Sequence, residues 1–130
     1  MTELPDDVRT LFEGVNIGHV ATTLPSGGPH SVPVWVALEG ERVAFLTGPG
    51  SRKARNLERD PRLAISITAS DHPYRMAQVR GSVAERLEGD AAWDVIDRIS
   101  HKYTGQPYPR GEDRVVFLVE PERAWGLAFG

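Results

Sequence analysis

The segment TGPGSRKARN, residues 47–56, gathers residue types that bind an anion: a threonine, two glycines, a serine, and then Arg52, Lys53 and Arg55 within four residues. Ser51 is a good helix N-cap, and RKARNLER after it has helix propensity, so the segment is expected to run from a strand end through a glycine loop into a helix. That opening collects unpaired backbone N–H groups. Arg52 and Lys53 then fall in the first turn, where the helix dipole disfavours a cation by about 0.3–1 kcal/mol each. Without a ligand these side chains simply stand in water at that small cost. A bound phosphate would reverse the sign of every term. Other phosphate signatures are missing: G-x-G-x-x-G would need glycine where Lys53 stands, and G-x-x-x-x-G-K-[ST] does not occur.

The elements around this segment follow from its neighbours. LPDDVRTLFEG is a short helix with Pro5, Asp6 and Asp7 in its first turn and Gly14 past its end, serving as a lid or end cap. NIGHVATT is a strand, LPSGGP a turn, and HSVPVWVAL a second strand with Val32, Val34, Val36 and Leu38 on one face and Pro33 and Trp35 on the other. RVAFLT and RLAISIT are the third and fourth strands. MAQVRGSVAER alternates around an internal glycine, as a bent or bulged strand does. DAAWDVIDRISHKYTG is the clearest helix, with Ala92, Val95, Ile96, Ile99 and Tyr103 at helical spacing and Gly105 beyond its end. QPYPRGED is a loop, and RVVFLVE and ERAWGLAF are two further strands. Seven short strands with few helices indicate a mainly antiparallel β-barrel with accessory helices.

Composition narrows the function classes. A length of 130 residues with 40% hydrophobic and 25% charged residues suits one globular domain over residues 1–130 rather than a disordered chain. No apolar run reaches membrane-spanning length, the start MTELPDDVRT lacks the pattern of a secretory signal, and there is no cysteine, so a cytoplasmic protein is expected. The net charge of -3 argues against nucleic acid as a partner, yet five of the fifteen cations lie between Arg52 and Arg62. A local cationic patch on an acidic background suits a small anionic ligand. His19, His30, His72 and His101 are too far apart in sequence for a local metal motif, so no metal is expected.

GSRKARNLERDPRLAIS after a strand ending in Thr47, together with VATTLPSGGPHSVPVWV, VRGSVAER, IDRISHKYTGQPYP and the terminal AWGLAF, resembles the split-barrel flavoproteins related to pyridoxamine 5'-phosphate oxidase, over nearly the whole chain and in the same order. The resemblance implies a split β-barrel of antiparallel Greek-key type and a homodimer with cofactor at the interface. By position, Thr47, Ser51, Arg52 and Lys53 would hold the cofactor phosphate, Arg55 would stand outside them, and Val32, Pro33 and Val34 would run along the ring system. Trp125 would reach towards the partner's cofactor. Pro33 also fits a plain edge strand, since it has no N–H to give a ladder. The oxidase's C-terminal Arg-x-His element is missing, and Ser31 stands where the oxidase has a further phosphate-binding arginine. YTGQPYP and the compact length resemble the branch that uses the deazaflavin coenzyme F420, which ranks F420 ahead of FMN.

Either coenzyme supplies the redox chemistry, leaving the protein to bind, orient and shield it. The expected activity is hydride transfer to an unsaturated small organic substrate. Tyr74, Tyr103 and His30 are candidate proton donors, but no motif fixes that role and no catalytic residue is assigned. Two other classes fit the same residues: a barrel that binds F420, FMN or haem without turnover, and an interaction module whose cations meet an acidic partner.

Overall fold

The computed structural model describes residues 3–128. Its elements in order are α1 (Asp6–Glu13), β1 (Gly18–Thr23), β2 (Pro29–Val34), β3 (Val36–Glu39), β4 (Arg42–Thr47), α2 (Arg52–Arg59), β5 (Arg62–Ala69), β6 (His72–Leu87), α3 (Gly89–Thr104) and β7 (Val115–Ala128). The seven strands form one antiparallel sheet in the order β2-β1-β5-β6-β7-β4-β3. The neighbours β1–β5 and β7–β4 are not consecutive in sequence, which is Greek-key connectivity. The outer strands β2 and β3 are joined through the single residue Trp35, so the sheet curls until its edges approach and forms a split barrel.

Alternation along the strands builds two apolar layers. Val43 and Phe45 of β4 and Val115, Phe117 and Val119 of β7 point into the barrel with Val20, Ile65 and Val79. Their neighbours Ala44, Val116 and Leu118 point outwards and are covered by Ala92, Val95, Ile96 and Ile99 of α3. The 3.6-residue period of α3 therefore meets the two-residue period of β4 and β7. Gly105 ends α3 in the left-handed conformation, at φ 76°, and its N–H bonds to the His101 carbonyl. Val8, Leu11 and Phe12 of α1 are buried against the barrel core, in keeping with an end cap.

The number of strands agrees with the sequence expectation, but two of the divisions differ. The expected strand HSVPVWVAL is broken at Trp35, because β2 pairs with β1 whereas β3 pairs with β4. At that change of partner the Val36 N–H leaves the ladder and bonds to Tyr103 Oη of α3 at 3.1 Å. The two expected C-terminal strands are one strand, β7, because the long β6 pairs along all of it. Pro121 interrupts the pattern without ending the strand. It lies opposite Gly81, where the register shifts between Arg80 and Gly81.

Gly81 is required at that bulge, since a Cβ there would lie 2.1 Å from the Glu120 carbonyl oxygen and 3.1 Å from Pro121 Cα. Both obstacles are backbone. Gly81→Ala is expected to lower unfolding free energy by about 1–3 kcal/mol, as overpacking does, and an unchanged urea midpoint would refute this placement. At α2, Ser51 Oγ accepts the Ala54 N–H at 3.2 Å and shares a 2.8 Å hydrogen bond with Thr47 Oγ1 at the end of β4. Ser51→Ala should cost about 0.5–2 kcal/mol in the same assay through loss of this cap.

Candidate functional site

A cavity of about 660 Å³ opens where β2, β4 and α2 come together. Pro33 and Val34 end β2, Trp35 follows, and Leu46, Thr47 and Gly48 carry the far wall from β4 into the glycine loop. With Ile17 these give the cavity a broad apolar surface, as suits a ring-shaped ligand. Charge is concentrated in Lys53, at the start of α2, and in Glu112 and Arg114, just before β7.

The opening of α2 has the expected geometry. Ala54, Asn56 and Leu57 are buried, so the helix is held against the barrel while its first turn faces the cavity through Lys53. Asn56, with no exposure, donates from Nδ2 to Thr22 Oγ1 at 3.0 Å and ties the helix to β1. The first turn contains no acidic residue. Several arginines elsewhere meet carboxylates, as Arg9 does with Glu41 at 2.9 Å and Arg110 with Asp97 at 2.8 Å. Among the described residues, the side chains of Arg52, Lys53 and Arg55 make no such pair. Burial strips water from the Lys53 ammonium and lowers its pKa.

The expected site residues separate into three groups. Pro33, Val34, Thr47 and Lys53 line the cavity together, and Ser51 stands directly behind Thr47 through their shared hydrogen bond. Val32 is partly buried against the barrel core, and Arg52 and Arg55 are exposed on α2 outside the cavity wall. Trp125 lies on β7 opposite Gln78 and lines a separate groove of about 340 Å³ with residues of β5 and β6. Its indole is flanked by the guanidinium groups of Arg80 and Arg123, 5.6 and 5.8 Å from the ring centroid.

The aromatic wall of the cavity is not legible in the sequence, because its members come from distant parts of the chain. Trp35 stacks on Tyr103 with centroids 5.2 Å apart and planes at 7°, and Tyr108 meets its edge at 6.3 Å. The hydroxyl of Tyr103 donates to the Asn16 carbonyl and accepts from Val36 N–H, so this residue holds the β2–β3 junction. Burial raises its pKa. Beside it, Lys102 donates to the carbonyls of Phe12, at 2.9 Å, and Val36, and burial pushes its ammonium pKa down to about 8. Of the candidate proton donors, Tyr103 is thus engaged in the frame and Tyr74 is 60% exposed, away from the cavity wall. His30 is likewise not part of that wall.

The loop after α3 brings Tyr108, Glu112 and Arg114 to the cavity. Asp97 of α3 holds it by accepting the Tyr108 N–H at 3.1 Å and two bonds from Arg110 at 3.0 and 2.8 Å. Those bonds, the Arg110 contact first, keep the Asp97 carboxyl at about 2. Arg110 also lies 3.9 Å above the Trp93 ring. In sequence this segment, QPYPRGED, is legible only as a loop; the one signal was a cation and a tyrosine close to the start of a strand. Among the described residues no group of three or more His, Cys, Asp or Glu is arranged to hold a metal, and no helix is long and apolar enough to cross a membrane.

The family model for pyridoxamine 5'-phosphate oxidase matches residues 4–128. A solved structure described as an F420 reductase is similar at 30% identity with a TM-score of 0.82, over 94% of this chain and 98% of that one. A conserved hypothetical protein from Mycobacterium tuberculosis is 25% identical with a TM-score of 0.78, over 98% and 90% of the two chains. General Stress Protein 26 from Bacillus anthracis shares the fold at 15% identity and a TM-score of 0.73, over 94% and 92%. No curated protein matches the chain. The split barrel, its strand order and a family match running from the residues before α1 to the end of β7 agree: the chain belongs to the pyridoxamine 5'-phosphate oxidase family.

Proposed function

We propose that this protein is an oxidoreductase that binds coenzyme F420, with the coenzyme's phosphate at the opening of α2 and its ring system along Pro33, Val34 and Trp35. The observation that carries this reading is Lys53: a half-buried ammonium with no carboxylate partner among the described residues, at the mouth of a helix and on the wall of a cavity large enough for a tricyclic ring. The donor set fits a phosphate. It comprises the Lys53 ammonium, the Thr47 hydroxyl and the helix N-terminal amides, with Ser51 fixing the Thr47 hydroxyl from behind. Arg52 and Arg55 add positive potential from the exposed side of α2. The similarity to an F420 reductase over nearly the full length of both chains favours F420, and the same donors suit the phosphate of FMN as the second choice.

When bound, the coenzyme would supply hydride chemistry for reduction of an unsaturated organic substrate. The chain's own contribution is positional. Val34 and Pro33 set one side of the ring slot, and Pro33 offers a carbonyl but no N–H to the ring's polar edge. Trp35, fixed by Tyr103, and Ile17 and Leu46 would shield the bound ring with apolar surface. A homodimer is part of this proposal: a second copy would cover Leu127, which is 49% exposed, and bring Trp125 towards a coenzyme.

Titration with F420 and with FMN, followed by fluorescence, tests the reading. Lys53→Ala should weaken coenzyme binding by about 1.5–3 kcal/mol, the range for hydrogen bonds to a charged group, while leaving the melting temperature nearly unchanged. The pH dependence has a definite sign. A bound phosphate favours the ammonium form and raises the Lys53 pKa from its lowered free value, so affinity falls as pH rises through that value. Lys53→Ala removes this alkaline limb. Equal affinity in the variant and its parent would overturn the phosphate assignment. Binding without reoxidation of the reduced coenzyme by a panel of enones and quinones would make the protein a coenzyme carrier instead.

A further inference from the structure

The cavity contains a second cation, Arg114, for which the reading above gives no role. Arg114 immediately precedes Val115, which pairs with Thr47 across β4 and β7, so it stands beside the strand end that leads into the glycine loop. A Cβ placed on Gly48 would lie 3.9 Å from Arg114 Nη1. The guanidinium is thus next to the loop before α2, and Lys53 lines the same cavity from the helix.

Its bonds are of unequal strength. Nε donates to Tyr108 Oη at 3.3 Å, and Nη1 donates to the Asp113 carbonyl at 2.8 Å; both hold the side chain in place from its own loop. Nη1 also reaches Glu112 Oε2 at 3.3 Å, but the Glu112 side chain is 79% exposed whereas that of Arg114 is only 22% exposed. Nη2 has no acceptor among the described residues. A single contact this exposed to water and salt holds its partners only weakly. The neighbouring Arg110–Asp97 pair, with two bonds near 3 Å, is the one that fixes the loop.

We propose that Arg114 is a second phosphate-recognition residue of the coenzyme site, and that Glu112 occupies with a carboxylate the place that the phosphate takes on binding. A guanidinium offers two parallel N–H groups to a phosphate, and here Nη2 is uncommitted while Nη1 can exchange its Glu112 contact. A phosphate between Lys53 and Arg114 would also neutralise two like charges on one cavity wall. Glu112, released, returns to the water that already surrounds most of it.

This inference rests on the coenzyme reading, and the test separates the two. F420 and FMN are titrated against their phosphate-free counterparts, deazariboflavin and riboflavin, and inorganic pyrophosphate is added while the arginine Nε–Hε resonances are followed by NMR. Arg114→Gln should weaken F420 and FMN about tenfold or more and leave the phosphate-free compounds unaffected. Glu112→Gln should tighten both coenzymes by about two- to fivefold, and the double variant should behave as Arg114→Gln, because Glu112 acts only through Arg114. The opposite sign of the Glu112 effect separates recognition from simple damage to the loop. A loss in Arg114→Gln that is equal with and without the phosphate would overturn the inference, as would a Glu112→Gln variant that binds no tighter. Should the parent bind neither coenzyme while pyrophosphate shifts the Arg114 resonance, the coenzyme reading fails and the phosphate site stands. Coenzyme binding in the parent that Arg114→Gln leaves unchanged has the reverse meaning.

Discussion

The first turn of α2 presents cations where an isolated helix favours acids, and the rest of the site depends on that inversion. Ser51 caps the helix and steadies Thr47; Asn56, Ala54 and Leu57 hold the helix body against the barrel, so the first turn cannot rotate to bring Lys53 fully into water, while Arg52 already faces it. Lys53 is left half-buried beside free helix amides and without a carboxylate partner among the described residues. A structure that only needed a stable helix would place Asp or Glu there, as α1 does with Asp6 and Asp7.

The barrel turns this local feature into a site. Because β2 and β3 are opposite edges of one sheet yet adjacent in the chain, Trp35 is carried across the split and becomes a wall of the cavity. Tyr103 supports it from α3 by stacking on the indole and by accepting the Val36 N–H that the broken ladder leaves behind. The loop after α3 then closes the remaining side, held by Asp97. Four stretches of chain, at Ile17, at Pro33–Trp35, between Leu46 and Lys53 and between Tyr108 and Arg114, therefore line one cavity with a broad apolar surface and with Lys53, Glu112 and Arg114 as its charged groups, which suits a flat ring carrying a phosphate tail.

Much of this was legible in the sequence wherever the physics is local. The cap at Ser51, the glycine loop, the period of α3 with its terminal Gly105 and the bulge at Gly81 each depend on residues within a few positions, and the structure places each as expected. The break at Trp35 depends on Tyr103, far along the chain, and alternation alone reads straight through it. Pro121 misleads in the other direction, because a ladder shifted by one bulge can pass a residue that lacks an N–H. Of the expected site residues, Pro33, Val34, Thr47 and Lys53 meet in the cavity, whereas Arg52 and Arg55, the same type of residue on the same helix, face outwards; helical rotation, not residue type, decides between them. The role of Arg114 is not legible in the sequence because a loop's contribution to a cavity is set by where its anchors lie, and Asp97 is thirteen residues from Arg110.

The most direct test is a crystal structure of the protein with saturating F420. The Lys53 assignment puts the coenzyme phosphate within hydrogen-bonding distance of Lys53 Nζ, Thr47 Oγ1 and the first amides of α2, with the ring against Pro33 and Trp35. A fully occupied coenzyme whose phosphate lies elsewhere, with only solvent at the start of α2, would contradict it.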